Sequence, residues 1–534
     1  MRLPPKKNKQ KQVVIDYTSL ESAKSSAPAS YDYGSWLEEG IKQEEQGERY
    51  QSGNKATRHY SNAVICFSLA ASLASNDFDS RYNAARVLYK LATDHLGPRE
   101  AYDALSKAIL GYRDAVAVLG SDGTMARIDG LFNLAQADVV LFEMLEDAAV
   151  SGVPEGTALQ AAREAKELFA QVEALQMSEL DEFFGPGDVG SVPEEEEVID
   201  EQPEEVRATE TTIVTPQLVI DTLLEAISLD MSLHSNLNGD LASQHQLLET
   251  AKATFERAVA LRQRYLPDCP PELEVEMVLA QFSIYSSPSS PDAKQILEQA
   301  LAASPTPSPS LLSIYADHLV ESLPFSQPFD VVAAQLESAL STYQKVQALL
   351  QNRLSPPKDV PSYRIPLLLS ANLLAQATVH LLSYHMIAAS GQAVELATPR
   401  LATAHSLALE SISCVKSGLA LTPSSTSSGL ALVKSPPSHE PISNLSTLLA
   451  LRSSYFTLVR IRLRMADSQE QLDEEKKRFW SVWNAVTRNL RAEPDLKQID
   501  LTWWLGEIEE DQVVECIGAD AAEKERQWWM SLAA

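Results

Sequence analysis

The chain contains 534 residues, more than a single compact core usually holds, so several domains or one extended array of repeats are expected. Hydrophobic residues make up 45% and charged residues 22%, a composition that excludes a wholly disordered chain. Asp and Glu outnumber Lys and Arg by 73 to 44, and the formal charge of −29 argues against direct nucleic-acid binding, because phosphate contacts depend on Lys and Arg. The charge favours a basic protein as partner, although acidity can also serve solubility alone.

Residues 1–29 are expected to form a basic, flexible tail. Its positive charges are Arg2, Lys6, Lys7, Lys9 and Lys11. Such a cluster is typical both of a nuclear import signal and of a solvated tail. No apolar stretch typical of a secretory signal accompanies it. The expected location is the nucleus, the cytoplasm or both.

Helix signals dominate residues 30–176 and 216–534, where apolar windows of helical spacing come in pairs separated by short breaks. The second window of several pairs places a small, a large and a small residue at offsets of four and three. Small residues let two helices approach closely, while the large side chain fills the groove between them. The packing residues expected on this basis are Ala63, Phe67 and Ala70; Tyr82 and Tyr89 in a first window; Ala251, Phe255 and Ala258; and Ala293, Leu297 and Ala300, which Pro305 terminates.

This small–large–small spacing, with its following proline, resembles the second helix of the tetratricopeptide repeat (TPR). The resemblance implies an all-α fold in which antiparallel helix hairpins stack into a TPR-like α-solenoid. Two aromatic–Asn pairs, Tyr82–Asn83 and Phe132–Asn133, lie fifty residues apart, farther than the family's period of about 34 residues. The repeats are therefore expected to be degenerate, with one array over 30–176 and a second over 216–534.

Residues 177–215 are predicted to be an acidic, disordered linker that interrupts the solenoid. The segment from Glu179 to Glu210 contains thirteen Asp or Glu residues and a single basic residue, Arg207. Such a segment is too poor in packing residues to fold by itself. Its carboxylates are the expected partner-binding residues: Glu194, Glu195, Glu196, Glu197, Asp200, Glu201, Glu204 and Glu205.

The segment from Ile365 to Val394 carries no formal charge and is long enough to cross a membrane. Asn372, Gln376 and His380 recur within it, which favours a buried repeat helix over a spanning one. We therefore expect no membrane partner. Six of the seven tryptophans lie near the C-terminus and are expected to cap the second array: Trp480, Trp483, Trp503, Trp504, Trp528 and Trp529.

Motifs for chemistry are weak. Gly185, Gly187 and Gly190 match GxGxxG, but an acidic run follows them where a dinucleotide site needs a helix start that attracts phosphate. The four cysteines are far apart and form no CxxC pair, which argues against a zinc site or a disulfide framework. Paired carboxylates are so frequent in this acidic chain that they indicate no specific site. We expect no metal, no cofactor and no catalytic residue.

The resulting hypothesis is a non-catalytic protein-binding adaptor. Helical repeats with an acidic block and a basic tail resemble acidic repeat chaperones, which implies a nuclear chaperone for a basic client such as a histone or a ribosomal protein. One alternative is a structural scaffold subunit of a multiprotein assembly, in which the acidity is incidental. Another is an enzyme whose catalytic groups converge from distant repeats and form no motif.

Overall fold

The computed structural model describes residues 15–50, 53–96, 98–119, 124–147, 153–154, 156–184, 214–236, 240–286, 291–304, 307–323, 327–353, 364–389, 394–421 and 445–465, and part of 470–481. Within these ranges the regular elements are helices, and no strand occurs. The helices are α1 (Leu20–Ser26), α2 (Tyr33–Tyr50), α3 (Gly53–Leu73), α4 (Phe78–Asp94), α5 (Pro98–Val118), α6 (Thr124–Asp147), α7 (Thr157–Phe184), α8 (Pro216–Asn236), α9 (Leu241–Tyr265), α10 (Pro271–Tyr285), α11 (Pro291–Ala303), α12 (Pro309–Glu321), α13 (Phe329–Arg353), α14 (Arg364–Ala389), α15 (Val394–Leu421) and α16 (Leu445–Arg464).

The chain divides into two compact units. Among the described residues, the first contains α1 to α6 and α7 as far as Leu175, and the second begins at Gln176 and contains α8 to α16. Each helix α8 to α16 packs on neighbours within the second unit, and α2, α3 and α4 pack in the same way within the first. The core is therefore a series of helix–helix seams.

Within each unit, contacts also join helices that are two apart in the chain. They link α4 with α6 in the first unit, and α8 with α10, α12 with α14, and α14 with α16 in the second. Sequence neighbours and next-but-one neighbours thus both pack, as in a stack of hairpins. We call the even-numbered helices of each unit its even layer. The prediction of an all-α, TPR-like solenoid is confirmed.

The pairing of α2 with α3 shows why the hairpins pack closely. A Cβ atom on Gly40 would come within 2.6 Å of the Phe67 ring, and one on Gly47 within 2.8 Å of the Tyr60 ring. The partner position falls by seven residues as the glycine position rises by seven, so the two helices run antiparallel. Bare backbone at both glycines leaves room for a fully buried aromatic ring.

The sequence-predicted packing residues occupy these seams to different degrees. Ala63, Phe67, Ala70, Ala251, Ala258, Ala293 and Leu297 are completely buried. Tyr82, Tyr89, Phe255 and Ala300 are half-buried, and Pro305 lies outside the described residues. In the second unit the largest hydrophobic cluster spans α12 to α16, so burial there is deepest in the C-terminal half of the described chain.

Two helices extend into segments that were assigned to the tail and the linker. Helix α1 lies within residues 1–29, where Ser19 caps it and Ala23 is fully buried against α2 and α3. Helix α7 continues to Phe184, because its apolar spacing persists as far as the buried Leu180. Nothing in the described chain tests the other expected boundaries, which stay predictions.

Helix α14 is long and apolar enough to cross a membrane by length and composition alone, over Ile365–Ala388. Half of the residues in that stretch are nevertheless buried inside the protein. Its buried polar groups form hydrogen bonds with each other and with neighbouring helices: Gln376 donates to Asn372 and to Gln347 of α13, and the Ser370 hydroxyl bonds with Ser411 of α15. These contacts are those of a core helix.

Candidate partner-binding face

Three consecutive helices of the even layer in the second unit carry acidic residues in the same arrangement. Helices α8, α10 and α12 contain no Lys or Arg. Each has two acids one turn apart, at i and i+4, which places both on one face of the helix. We call these six residues the acidic face: Asp221 and Glu225 on α8, Glu272 and Glu276 on α10, and Asp317 and Glu321 on α12.

Packing within the second unit joins the three helices that carry these pairs. Helix α8 contacts α10, and the charge of Glu276 acts on Asp221 across that contact. Helix α10 meets α12 where the Phe282 ring packs edge-on against His318, with ring centroids 5.4 Å apart. The three helices are therefore joined in chain order.

Helix stability explains only one of these acids, Glu272, which lies in the first turn of α10, where the helix dipole favours a negative charge. Two like charges at i and i+4 destabilise a helix by about 0.2–0.5 kcal/mol. The odd-numbered helices beside them show the opposite arrangement, since Lys252 pairs with Glu249 on α9 at 2.8 Å and Lys294 pairs with Glu298 on α11 at 3.7 Å. Helices α8, α10 and α12 thus lack the internal ion pairs of α9 and α11, and their charge pattern suits a cationic partner.

Asp221 is the most perturbed acid of the face. Burial, assisted by the charge of Glu276, raises the pKa of Asp221 from 3.8 to about 6. Its Oδ1 atom is shielded from solvent and accepts no hydrogen bond from the described residues. A carboxylate so placed is stabilised by binding a proton or by a cationic hydrogen-bond donor.

The two acids of α12 also have raised pKa values. Burial raises the pKa of Asp317, and the hydrogen bond donated by the Tyr343 hydroxyl of α13 opposes that shift. Burial, and then the charge of Asp317, raises the pKa of Glu321. Both side chains are nevertheless accessible to solvent. Acids that are accessible and yet partly desolvated are typical of a recessed surface.

Other charges in the second unit lie apart from the face. Glu274 of α10 turns towards α9, where Arg262 donates to it at 3.2 Å. Asp230 of α8 is buried. Farther along the even layer the charge changes sign, since α16 contains four Arg residues and no acid. The acidic face is thus confined to α8, α10 and α12.

The partner-binding residues predicted from the sequence, Glu194 to Glu197, Asp200, Glu201, Glu204 and Glu205, lie outside the described residues, as do the GxGxxG glycines. All six C-terminal tryptophans do as well. Sequence reasoning overlooked the acidic face, because paired carboxylates were treated as background. The signal that could have found it is an acid-x-x-x-Glu pattern in three helices that lack Lys and Arg. No group of three or more potential metal ligands forms among the described residues.

Each unit also buries, on an even-numbered helix, a titratable side chain whose pKa is strongly shifted. In the first unit, Asp138 of α6 is 2% exposed, and its Oδ2 atom accepts no hydrogen bond from the described residues. Burial raises the pKa of Asp138 to about 7, against the opposing effect of Arg113. Arg113 of α5 forms an ion pair with Glu164 of α7.

In the second unit the corresponding group is a base. His380 of α14 is 8% exposed, and its Nδ1 atom has no hydrogen-bond partner among the described residues. Burial, and then the charge of Arg400, lowers the pKa of His380 to about 4. Arg400 of α15 forms an ion pair with Glu337 of α13. Both sites are closed, so we regard them as determinants of stability and not as binding sites.

No protein-family model matches the chain, and no curated protein matches it. Among solved structures, the chain is similar to that of the Assembly Chaperone of RpL4 (Acl4), with 12% sequence identity and a TM-score of 0.34. The match covers 64% of this chain and 95% of that chain. A similarity at this level transfers neither a client nor a binding site to the protein.

Proposed function

We propose that the protein is a non-catalytic adaptor that binds a basic segment of another protein on the acidic face. The observation that carries the proposal is the acid pair on each of α8, α10 and α12, three helices without Lys or Arg. Lys and Arg side chains of a client would compensate charges that the even layer itself leaves in excess. This chemistry fits a chaperone whose client is a basic protein such as a histone or a ribosomal protein.

The carboxylates of the linker, from Glu194 to Glu205, are proposed to add long-range attraction. Charges that act at a distance mainly speed encounter, and salt weakens them. The acidic face would supply the short-range contacts and therefore set the lifetime of the complex. A nuclear location, suggested by the Lys cluster of residues 6–11, belongs to the same proposal.

The test measures binding of a capped 12-residue peptide of alternating Lys and Ala to the full chain, by fluorescence anisotropy at low salt. The face variant combines Asp221→Asn, Glu276→Gln and Asp317→Asn. Three lost surface charge contacts, each worth up to about 1 kcal/mol, are expected to weaken binding about tenfold or more.

The control variant removes the same charge from exposed acids of the odd-numbered helices: Glu256→Gln, Asp330→Asn and Glu410→Gln. It should bind nearly as well as the unmodified chain. Equal losses in both variants would show that net charge alone attracts the peptide. Absence of binding by the unmodified chain would contradict the proposal and favour a scaffold role.

Deleting residues 190–210 separates the linker from the face. The deletion should slow association and reduce the dependence of affinity on salt, while the dissociation rate stays nearly unchanged. Stopped-flow fluorescence measures both rates. A deletion that leaves association and its salt dependence unaltered would remove the linker from the proposal and leave the face in place.

A further inference from the structure

The acids of the acidic face differ from ordinary surface carboxylates in their surroundings. The Oδ1 atom of Asp221 is shielded from solvent and accepts no hydrogen bond from the described residues. Glu276 of α10 faces it with the same charge. On α12, Asp317 and Glu321 lie one turn apart, and the Tyr343 hydroxyl donates to Asp317. Such clustered, partly desolvated carboxylates hold protons more readily than isolated ones.

We propose that the acidic face binds its basic partner in competition with protons, so that mild acidification releases the partner. The inference rests on the proposed function and names how that same face is regulated. When a Lys ammonium group of the partner reaches Asp221, the carboxyl group loses its proton to solvent and the carboxylate accepts a hydrogen bond from the ammonium group. Binding therefore releases protons, and a lower pH opposes it.

The groups that act on the face are few among the described residues. Glu225 lies one turn from Asp221 on α8, and Glu276 faces Asp221 from α10; α9, which also packs on α8, contributes no charge that shifts Asp221. Around α12 the groups are Tyr343 of α13, and Lys294 and Glu298 of α11; Glu298 accepts a hydrogen bond from Tyr315 of α12. Burial, and then the charge of Lys294, lowers the pKa of His318. His318 is thus a second titratable group near the face, and it stays neutral to lower pH than a free histidine.

The size of the effect follows from the pKa of Asp221, which is about 6. A site that binds only the ionised form loses about fourfold in affinity between pH 7.5 and pH 5.5 for one such group. An ordinary surface carboxylate remains ionised over the same range and adds nothing.

The test repeats the anisotropy titration of the full chain with the capped Lys–Ala peptide at pH 7.5 and pH 5.5. The peptide itself has no group that titrates between these values. The unmodified chain should bind at least about fourfold more weakly at pH 5.5. Calorimetry at pH 6 in two buffers of different ionisation enthalpy should show proton release on binding.

Variants identify the group responsible. Asp221→Asn should retain binding at pH 7.5 with reduced affinity, but should lose most of the pH dependence and release fewer protons. Glu410→Gln, on α15, should keep both. His318→Gln should also keep most of the pH dependence, and its loss there would assign the effect to the histidine and overturn the proposal.

The two proposals fail in different ways. Absence of peptide binding at both pH values contradicts the proposed function. Binding of equal affinity at both pH values, with no proton release, contradicts only the inference about protons. Circular dichroism at pH 5.5 checks that the helices persist, so that a loss of binding is not mistaken for unfolding.

Discussion

Helices α6 and α14 each bury an ionisable side chain near an ion pair, but the buried group is an acid in α6 and a base in α14. Asp138 of α6 is buried near the ion pair between Arg113 and Glu164, which joins the helices on either side in the chain, α5 and α7. The ionised carboxylate is disfavoured there, so burial raises the pKa of Asp138 to about 7.

In the second unit, His380 of α14 is buried near the ion pair between Glu337 and Arg400, which joins α13 and α15. Burial again favours the neutral form, which for a base lowers the pKa, here to about 4. The difference teaches that one architecture can give two units opposite responses to pH. Asp138 is expected to lower the stability of the first unit towards neutral pH, and His380 that of the second towards acid.

The largest expected effect is that of Asp138→Asn. In the unfolded chain the carboxyl group titrates near 3.8, so raising pH from about 4 to about 7 ionises it only on unfolding and lowers stability. The variant removes this loss, on the order of 4 kcal/mol at pH 7, and should be more stable there than the unmodified chain. Hydrogen exchange of α6 peptides, corrected for the intrinsic effect of pH, measures the change.

At pH 4 the same variant should differ little from the unmodified chain, because Asp138 is then largely neutral in both states. A variant that is destabilised at pH 7 would show that Asp138 is ionised and paired in the folded protein. That result would contradict the proposed difference between the two units, because Asp138 would then not be neutral in the folded first unit.

The next effect is that of His380→Gln. The histidine titrates near 6.5 when unfolded and near 4 when folded, so its contribution to stability is complete above pH 6.5 and is lost as pH falls towards 4. The loss amounts to about 3 kcal/mol and should be absent from the variant. Hydrogen exchange of α14 peptides at pH 7 and pH 4.5 measures it. A loss of equal size in the variant would exclude His380 as its cause.

The smallest effects concern the two ion pairs, which are partly exposed and worth up to about 1 kcal/mol each. Arg113→Met and Arg400→Met should both raise the pKa of the neighbouring buried group, because each guanidinium group lowers it. The first change deepens the loss of stability of the first unit at neutral pH. The second relieves the loss of the second unit in acid. NMR titration of the His380 ring checks the latter, and an unchanged pKa would contradict it.

The sequence predicted the parts of the molecule that depend on helical spacing. Ala63, Phe67 and Ala70 recur at the interval that faces a neighbouring helix, and burial of their side chains follows from that interval alone. Asp138 and His380 show the limit of such reasoning. Each lies on the buried side of its helix, and whether its side chain finds a hydrogen-bond partner depends on which groups neighbouring helices bring near it.

The sequence shows the acid pairs of the acidic face, but it does not show which helices pack beside each other. The acid pairs on α8, α10 and α12 can be read from the printed chain, as can the absence of Lys and Arg from these helices. What cannot be read is that the three helices share one layer, whereas the Lys residues of α9 and α11 belong to the other. Charge balance along the sequence conceals an imbalance between layers.

The two glycines of α2 restrict how that helix can slide along α3. Phe67 and Tyr60 occupy hollows that exist only where Gly40 and Gly47 present no side chain. A shift of one turn would drive Gln43 or Glu44 against the Phe67 ring. A shift of two turns would align one glycine with one ring and leave the other ring without a hollow. The hairpin therefore has a single register, which is determined by the absence of a side chain at Gly40 and Gly47.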